Sequence, residues 1–446
     1  MSSLKKLAIS GTIWTIVGYG TSQALRLGGN LILTHLLEPK LFGLMSLVYV
    51  FITGLHLFSD IGIGMSIIQN KRGDDPSFLN TAWTLQVARG VVLWICSCLL
   101  AWPVAQLYGN TQFLWLLPVV ALSALISGFT STALFTLNRH MAVGQVAMFE
   151  LGGQVIALIV MIIWAWFNPT IWALVIGSLV AELVRLVWSY RLIPNLSTHF
   201  AWDKEAVKEI LSFGKWIFVS TAITFFAEQA DRLILGKILS LELLGVYGIA
   251  ITFADLPRNI TVTVSSKVIF PAVSKLIDLP REVLRAKLLK NRKPVLIALV
   301  FGLTMLVCFG DILIKVLYDK RYIDAAWMLP ILALGIWPRM LCNTNEAFLF
   351  AVGKFQYTAI AQVTRFVCTS LGVMLGFFLI GVPGAIIAVA LNDLCYYLAI
   401  NYGLWREGLS ALKQDIQATL QLIALLIVVL AGRFVLGFGF PIDRLL

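Results

Sequence analysis

The sequence predicts an all-α membrane protein: two pseudo-symmetric six-helix lobes around a central cavity, with about one extra transmembrane helix at the C-terminus. Three observations predict this class. Hydrophobic residues make up 59% of the chain and charged residues only 13%, where a soluble domain has about 25% charged residues, and the mean hydropathy is +0.88. Thirteen apolar runs of roughly bilayer-spanning length follow one another. Two parts of the chain also resemble each other at an offset of 202 residues.

The predicted spans leave no gap long enough for a folded soluble domain. The first run follows Lys5 and Lys6, but it is too long for a signal peptide and lacks a small-residue cleavage site, so we interpret it as helix 1. In order, the thirteen spans lie at roughly 8–33, 41–67, 78–104, 112–137, 143–167, 170–190, 213–238, 242–270, 294–315, 325–352, 355–379, 383–405 and 415–437.

Basic residues are distributed unevenly among the connections. When the loops are counted alternately from the N-terminus, one side carries twenty-one basic residues and the other carries seven. The positive-inside rule therefore predicts a multi-pass protein with a cytoplasmic N-terminus, and thirteen spans put the C-terminus outside. The net charge of +11 then reflects membrane orientation, and no nucleic-acid partner is expected. All six cysteines lie in apolar spans, so neither a disulfide nor a metal site is expected.

The two longest cytoplasmic connections are amphipathic. Residues 203–211 place apolar residues on one side of a helix and charged residues on the other, which predicts a short interfacial helix. Residues 271–293 form a basic amphipathic segment suited to anionic lipid headgroups, so membrane lipids are expected partners. The predicted domains are an N-terminal lobe at 1–200 (helices 1–6), a C-terminal lobe at 201–405 (helices 7–12, preceded by the interfacial helix) and the additional transmembrane helix at 406–446.

The internal match is clearest over the first hairpin of each part. Leu41-Phe42-Gly43 aligns without a gap with Leu243-Leu244-Gly245, and Trp14 aligns with Trp216. Such a repeat predicts two structurally related lobes, the arrangement in which transporters bind substrate at the repeat interface and rock around it.

Several motifs resemble those of one known family. Those in the second part are similar to the seventh and eighth helices of bacterial polysaccharide exporters: Asp231-Arg232-Leu233-Ile234-Leu235-Gly236-Lys237, Leu244-Gly245-Val246-Tyr247-Gly248 and Leu256-Pro257. Those in the first part resemble the second helix of the same family: Leu37-Glu38-Pro39-Lys40-Leu41-Phe42-Gly43 and Asp60-Ile61-Gly62-Ile63-Gly64. The chain thus resembles the oligosaccharide flippases of the multidrug, oligosaccharidyl-lipid and polysaccharide superfamily. Members often have fourteen helices, one more than predicted here.

The resemblance implies a carrier in the bacterial inner membrane, not an enzyme. It would move a polyprenyl-diphosphate-linked oligosaccharide repeat unit from the cytoplasmic to the periplasmic leaflet for O-antigen, capsule or exopolysaccharide assembly, and other polysaccharide assembly proteins are candidate partners. A peptidoglycan-precursor flippase or another exporter of the superfamily remains an alternative. The alternative of another class is a membrane glycosyltransferase or polymerase. It is disfavoured because the longest external connection, Asp311 to Asp324, has no nucleophile or base constellation.

Six arginines lie more than five residues from either end of a predicted span and are the candidate substrate-binding residues. A lipid diphosphate needs cations in a water-accessible cavity, and the guanidinium fork matches phosphate geometry. The alternative is that an arginine pairs with a carboxylate three or four residues away on the same helix. Two of the six have such a neighbour: Arg258 has Asp255, and Arg232 has Glu228. Arg339 shares a helix face with Glu346, seven residues later. The six are Arg26, Arg89, Arg232, Arg258, Arg339 and Arg365.

Arg26, Arg89 and Arg365 have only uncharged residues three and four positions away. Their partner must come from another helix or from the ligand, so these three are the strongest diphosphate candidates. The offset of 202 places Glu228 at the position that matches Arg26, and a bridge between the lobes is the alternative for that arginine.

Acidic residues within the spans are candidates for ion coupling or gating. No cofactor is expected, and coupling to a proton or to sodium is left open. His56 and Asp60 are four residues apart on predicted helix 2, which suggests a proton site, although a satisfied hydrogen bond is the simpler interpretation. The candidates are His56, Asp60, Glu150, Glu228, Asp255, Glu346 and Asp393.

Overall fold

The computed structural model describes residues 2–194, 196, 198–269 and 280–443, with side chains omitted for 2–13, 15–16, 212–220 and 267–268. Within these residues there are sixteen α-helices and no strand. In the described part, nine helical spans are long and apolar enough to cross a membrane, or ten if one bent pair of helices counts as a span. The all-α membrane class is confirmed.

The chain divides into two compact units, Met1–Ala222 and Ile223–Leu446. The helices of the first unit are α1 (Ser2–Leu36), α2 (Pro39–Phe58), α3 (Ile63–Gln69), α4 (Pro76–Tyr108), α5 (Phe113–Gly128), α6 (Ala133–Arg139), α7 (Val143–Phe167) and α8 (Trp172–Ser189). The unit boundary falls within α9 (Lys204–Ile238). The second unit continues with α10 (Leu241–Val264, extended by a π-helical turn Ser265–Ile269), α11 (Arg281–Leu317), α12 (Ala325–Gly335), α13 (Trp337–Ala351), α14 (Gln356–Ile380), α15 (Val382–Arg406) and α16 (Leu412–Val435).

Two predicted spans of the first unit are broken. The span predicted at 41–67 ends as helix α2 at Phe58 and resumes as α3 at Ile63. Between them Gly62 adopts a left-handed conformation with φ of 71°, and Asp60 Oδ1 accepts a hydrogen bond from its backbone N–H at 2.9 Å. The span predicted at 112–137 bends by 60° between α5 and α6. Both breaks leave helix C-terminal carbonyls inside the first unit.

The predicted interfacial helix is wrong, because residues 204–211 are the first turns of the long helix α9. Their apolar face does not lie on lipid. Ala206 and Ile210 are fully buried against Ile67 of α3 and Phe78 of α4. The segment is amphipathic, as predicted, but its apolar side packs against the protein. The first turns of α9 therefore belong to the first unit, although residue 201 was the predicted start of the C-terminal lobe.

Charged and polar contacts fix the same segment to the first unit. Arg72 Nη2 lies 2.5 Å from Asp203 Oδ2, and this hydrogen bond holds the pKa of the Asp203 carboxyl below its usual range. On the first turns of α4, Asn80 and Thr84 accept hydrogen bonds from the backbone N–H groups of His199 and Ala201. The chain entering α9 is thus held by side chains along its length.

Helices α11 and α16 run parallel and are joined by two buried ion pairs. Near their N-terminal ends, Arg292 Nη1 lies 2.6 Å from Asp415 Oδ1. Near their C-terminal ends the arginine lies on α16 and the aspartate on α11. There Arg433 contacts Asp311 with both terminal nitrogens, at 2.6 and 2.7 Å. The four side chains are at most 1% exposed. At 1.5 Å per residue the pairs are about 28 Å apart, close to the thickness of a bilayer core.

Two of these residues, Arg292 and Arg433, are among the basic residues assigned to the connections in the count of twenty-one and seven, and that assignment is wrong. Arg292 and Arg433 are only 2% exposed, and each is neutralised within the protein. Arg292 belongs to the predicted basic lipid-binding segment. Of that segment, residues 271–279 lie outside the described residues, and the rest begins α11 at Arg281.

Candidate functional site

The arginines of the second unit lie among carboxylates. Arg258 of α10 contacts Glu228 of α9 at 2.7 Å and Asp255 at 3.3 Å. The predicted pair of Arg258 with Asp255 is therefore present. The predicted pair of Arg232 with Glu228 is wrong: Arg232 donates to the Gln229 side chain at 3.2 Å, because Glu228 is engaged by the facing helix.

Arg339 of α13 is 5% exposed and packs on an aromatic ring. Its guanidinium carbon lies 3.7 Å from the centroid of the Tyr396 ring on α15, a cation–π contact, and its Nη2 atom lies 3.8 Å from Glu228 Oε1. Among the described residues no ion pair joins it to Glu346, as their separation of two turns predicts. Its Nε and Nη1 atoms are buried without a hydrogen-bond partner in the described part.

Arg365 of α14 has a partner that sequence spacing did not reveal. Its Nε atom lies 2.8 Å from Asp393 Oδ1 on the following helix, α15, and the two side chains are 10% and 6% exposed. Helical spacing reveals only partners three or four residues away on the same helix, and Asp393 is 28 residues after Arg365. Arg365 is thus neutralised inside the second unit.

These side chains form one neutral group, which we name the C-terminal charge cluster: Glu228, Asp255, Arg258, Arg339, Arg365 and Asp393. It contains three arginines and three carboxylates. Five of its members line a cavity of about 50 Å³, which has room for water or a small ion but not for a sugar. A diphosphate would have to displace carboxylates to reach these arginines. Protonation of a carboxylate would instead release an arginine.

The first unit contains a larger cavity, of about 600 Å³, which we name the N-terminal cavity. It lies where the two broken spans meet α4. Its polar and aromatic lining includes His56, Asp60, Gln86, Arg89, Ser127, Thr130, Phe135 and Asn138.

Arg89 of α4 lines this cavity and is the cation nearest the end of α2. Its Nε atom donates to Ser59 Oγ at 2.9 Å, and its Nη2 atom donates to the carbonyl of His56 at 2.8 Å. These bonds cap the C-terminus of α2, where a cation is favoured by the helix dipole. Among the described residues Arg89 forms no ion pair. Its role as a diphosphate ligand stays a prediction.

His56 and Asp60 both line the N-terminal cavity, but not as neighbours on one helix. Helix α2 ends at Phe58, so Asp60 lies in the break and uses Oδ1 to cap Gly62. No hydrogen bond joins the two side chains in the described part of the chain. Their predicted helical spacing is therefore wrong, although the break brings both to the same cavity.

Gln86 is a cavity residue that the sequence reasoning missed. It lies one turn before Arg89 on the same face of α4, and that spacing was the available signal. Its Nε2 atom lies 3.1 Å from the backbone carbonyl oxygens of Ser127, Gly128 and Thr130, at the C-terminus of α5. Gln86 and Arg89 thus cap the ends of two different helices.

Arg26 of α1 has an exposed side chain and no ion pair or hydrogen bond within the described residues. Glu228 is engaged by Arg258 and Arg339, and the bridge between Arg26 and Glu228 stays a prediction. Of the six arginines, Arg26 therefore has the fewest contacts of its own.

Glu150 of α7 contacts the end of α8. It lies 3.4 Å from Arg185 Nη2, and Arg185 Nη1 contacts Glu182 at 3.0 Å, as the spacing of those two residues predicts. Two carboxylates share one arginine here, so this group carries one formal negative charge.

The family model for "Polysaccharide biosynthesis protein" matches residues 32–327. Among curated proteins, the lipopolysaccharide biosynthesis protein WzxC of Escherichia coli (strain K12) is 23% identical over 401 residues, covering 86% of this chain and 81% of its own. The teichuronic acid biosynthesis protein TuaB of Bacillus subtilis (strain 168) is 21% identical, covering 79% and 73%. The succinoglycan biosynthesis transport protein ExoT of Rhizobium meliloti (strain 1021) is 22% identical, covering 76% and 68%.

Solved transporters share the fold. The lipid II flippase MurJ in an inward closed conformation has a TM-score of 0.71 at 14% identity, covering 95% of this chain and 93% of its own. An inward-facing multidrug resistance MATE family transporter of the MOP superfamily has a TM-score of 0.66 at 14% identity, covering 92% and 98%. Because the family model matches most of this chain, the protein belongs to the polysaccharide biosynthesis protein family, and it shares the fold of these solved multi-span membrane proteins.

Proposed function

We propose that this protein is a flippase for a polyprenyl-diphosphate-linked oligosaccharide repeat unit, which it moves from the cytoplasmic to the periplasmic leaflet by alternating access. Family membership and the names of the relatives support the substrate class. The connections on the same side of the membrane as the N-terminus carry an excess of basic residues, which supports a cytoplasmic N-terminus. A glycosyltransferase or polymerase does not fit a family of transporters.

The observation that carries the proposal is the difference in contacts among the six arginines of the predicted spans. Arg258, Arg339 and Arg365 lie beside carboxylates, and Arg89 caps a helix. Arg232 donates to Gln229, whereas Arg26 has no ion pair or hydrogen bond within the described residues and lies in a helix predicted to span the membrane. Leaving a guanidinium uncompensated at bilayer depth costs from about 3 to more than 10 kcal/mol, a cost that a bound diphosphate would offset. We therefore assign the lipid diphosphate to Arg26.

The test replaces the arginines singly by Ala and measures polymer export by cells, with the protein level monitored. Arg26→Ala should abolish export at normal abundance, because it removes a ligand and no internal contact. Arg365→Ala should instead lower abundance, because Asp393 is left buried and unpaired. Arg281→Ala, at the exposed start of α11, is the matched control and should export normally. Normal export by the Arg26 variant would remove the diphosphate assignment.

We also propose that transport is coupled to a proton through the C-terminal charge cluster. Each cluster carboxylate lies beside an arginine, so a proton taken up by a carboxylate would change the pairing of charges. Protonation of Asp255 would remove one of the two carboxylates that neutralise Arg258. Proteoliposomes with an imposed pH gradient should then transport faster than those with an equal sodium gradient, and the reverse order would exclude the proposal.

A further inference from the structure

The N-terminal cavity is bounded by the C-terminal ends of two helices. Helix α2 ends at Phe58 and helix α5 at Gly128, and both ends lie beside the cavity. Each helix C-terminus carries a partial negative charge of roughly half an elementary charge. Neighbouring residues on α4, Gln86 and Arg89, donate hydrogen bonds to these ends.

The formal charges in the wall give no net attraction for an anionic ligand. The cavity is lined by one arginine, Arg89, and by one carboxylate, Asp60, so these two formal charges cancel. With two helix C-termini beside these residues, the wall has no excess of positive charge. Arg89 already donates hydrogen bonds to Ser59 and to the His56 carbonyl at the end of α2. A diphosphate in the cavity would therefore meet little uncompensated positive charge.

The same wall suits a neutral molecule rich in hydroxyl groups. Asp60 uses Oδ1 to cap Gly62, which leaves Oδ2 as a charged acceptor. The exposed amide of Asn138 and the imidazole of His56 add donors and acceptors, and the partly buried ring of Phe135 offers an apolar face. A volume of about 600 Å³ lies within the range of small-molecule sites.

We propose that the N-terminal cavity binds a sugar residue of the lipid-linked oligosaccharide and not its diphosphate. The proposal rests on the flippase function proposed above, and it separates two parts of one substrate: Arg26 holds the charged group, while the cavity holds the glycan. Asp60 accepts hydrogen bonds from sugar hydroxyls, and Arg89 is a positioning residue that fixes the end of α2 beneath Asp60. The cavity then contributes to the choice of glycan.

The test compares two probes on the purified full-length protein in detergent. The first probe is a polyprenyl diphosphate without sugar. The second is the same lipid bearing a single glucose, galactose or N-acetylglucosamine. Binding is followed by tryptophan fluorescence. At least one sugar-bearing lipid should bind more tightly than the bare lipid. Asp60→Asn should reduce that preference about tenfold or more, the usual effect of losing a hydrogen bond to a charged group, and leave the affinity for the bare lipid unchanged.

Two further variants keep the result interpretable. Asn138→Leu changes an exposed amide at the rim, so it should fold normally and lower the same preference. Glu38→Gln makes the same carboxylate-to-amide change at the opposite end of α2 and should alter neither affinity. If Asp60→Asn weakens both lipids equally, or neither, the sugar site is wrong while the flippase function stands. If the wild type binds none of the lipids, the proposed function itself fails.

Discussion

The buried pair between Asp311 and Arg433 should be among the most costly polar contacts of the second unit to break. Both side chains are at most 1% exposed, and the guanidinium contacts the carboxylate with two nitrogens, at 2.6 and 2.7 Å. Replacing only Asp311 by Leu leaves a buried guanidinium unpaired, which costs about 3–5 kcal/mol. Lys315, the other cation on Asp311, is 45% exposed and can turn to water, so its loss adds little.

The double variant distinguishes pairing from a general loss of packing. Asp311→Leu combined with Arg433→Met removes both charges and keeps similar volumes, so it should recover most of the lost free energy of unfolding. The assay is SDS-induced unfolding in mixed micelles, followed by circular dichroism for the wild type, both single variants and the double variant. Arg321→Met, in an exposed ion pair with Asp319, is the matched arginine control and should change the free energy by at most about 1 kcal/mol.

Additive effects of the two single substitutions would refute this reasoning. So would a destabilisation by Asp311→Leu no larger than that of the Arg321 control. Either result would mean that α16 is attached to α11 by apolar packing and not by the ion pair.

Three further outcomes are expected. Asp203→Asn should destabilise the protein at neutral pH, and its thermal unfolding curve should converge with that of the wild type as the pH falls below the ordinary pKa of aspartate, because the native carboxylate has a lowered pKa and its contribution is lost on protonation. Gly376→Ala should lower the melting temperature in detergent, since a Cβ there would lie 2.3 Å from a backbone oxygen of α15, whereas Gly302→Ala, with open space around it, should not. The low abundance expected for Arg365→Ala should be restored by adding Asp393→Asn, as judged by quantitative immunoblotting, and continued low abundance would argue against the pair.

The apolar pattern predicted the helices well because a membrane span has to form all the hydrogen bonds of its backbone within itself. Each of the thirteen predicted spans is mostly helical in its described residues, and two of them, in the first unit, contain a break. The breaks escaped prediction, since Ser59 to Gly62 are too few residues to interrupt an apolar run. Amphipathicity also left open what would cover an apolar face, and the start of α9 was covered by protein instead of lipid.

Pairing of charges was predictable only within one helix. The spacing of Asp255 and Arg258 revealed their contact, because neighbours on a helix are set by its period. The partner of Arg365 is fixed by how α14 packs against α15, which no local spacing encodes. For the same reason, Arg292 looked like a loop cation although it is buried against Asp415.

The central claim is that the protein itself moves a lipid-linked glycan across a membrane. Its most direct measurement reconstitutes the purified full-length protein into liposomes with a fluorescent polyprenyl-diphosphate-linked oligosaccharide and follows the fraction that becomes accessible in the opposite leaflet. Wild-type protein should equilibrate the lipid between leaflets far faster than empty liposomes, and Arg26→Ala should be slow at equal protein content. Equal rates for the wild type and for empty liposomes, with the protein shown to be folded, would contradict the account.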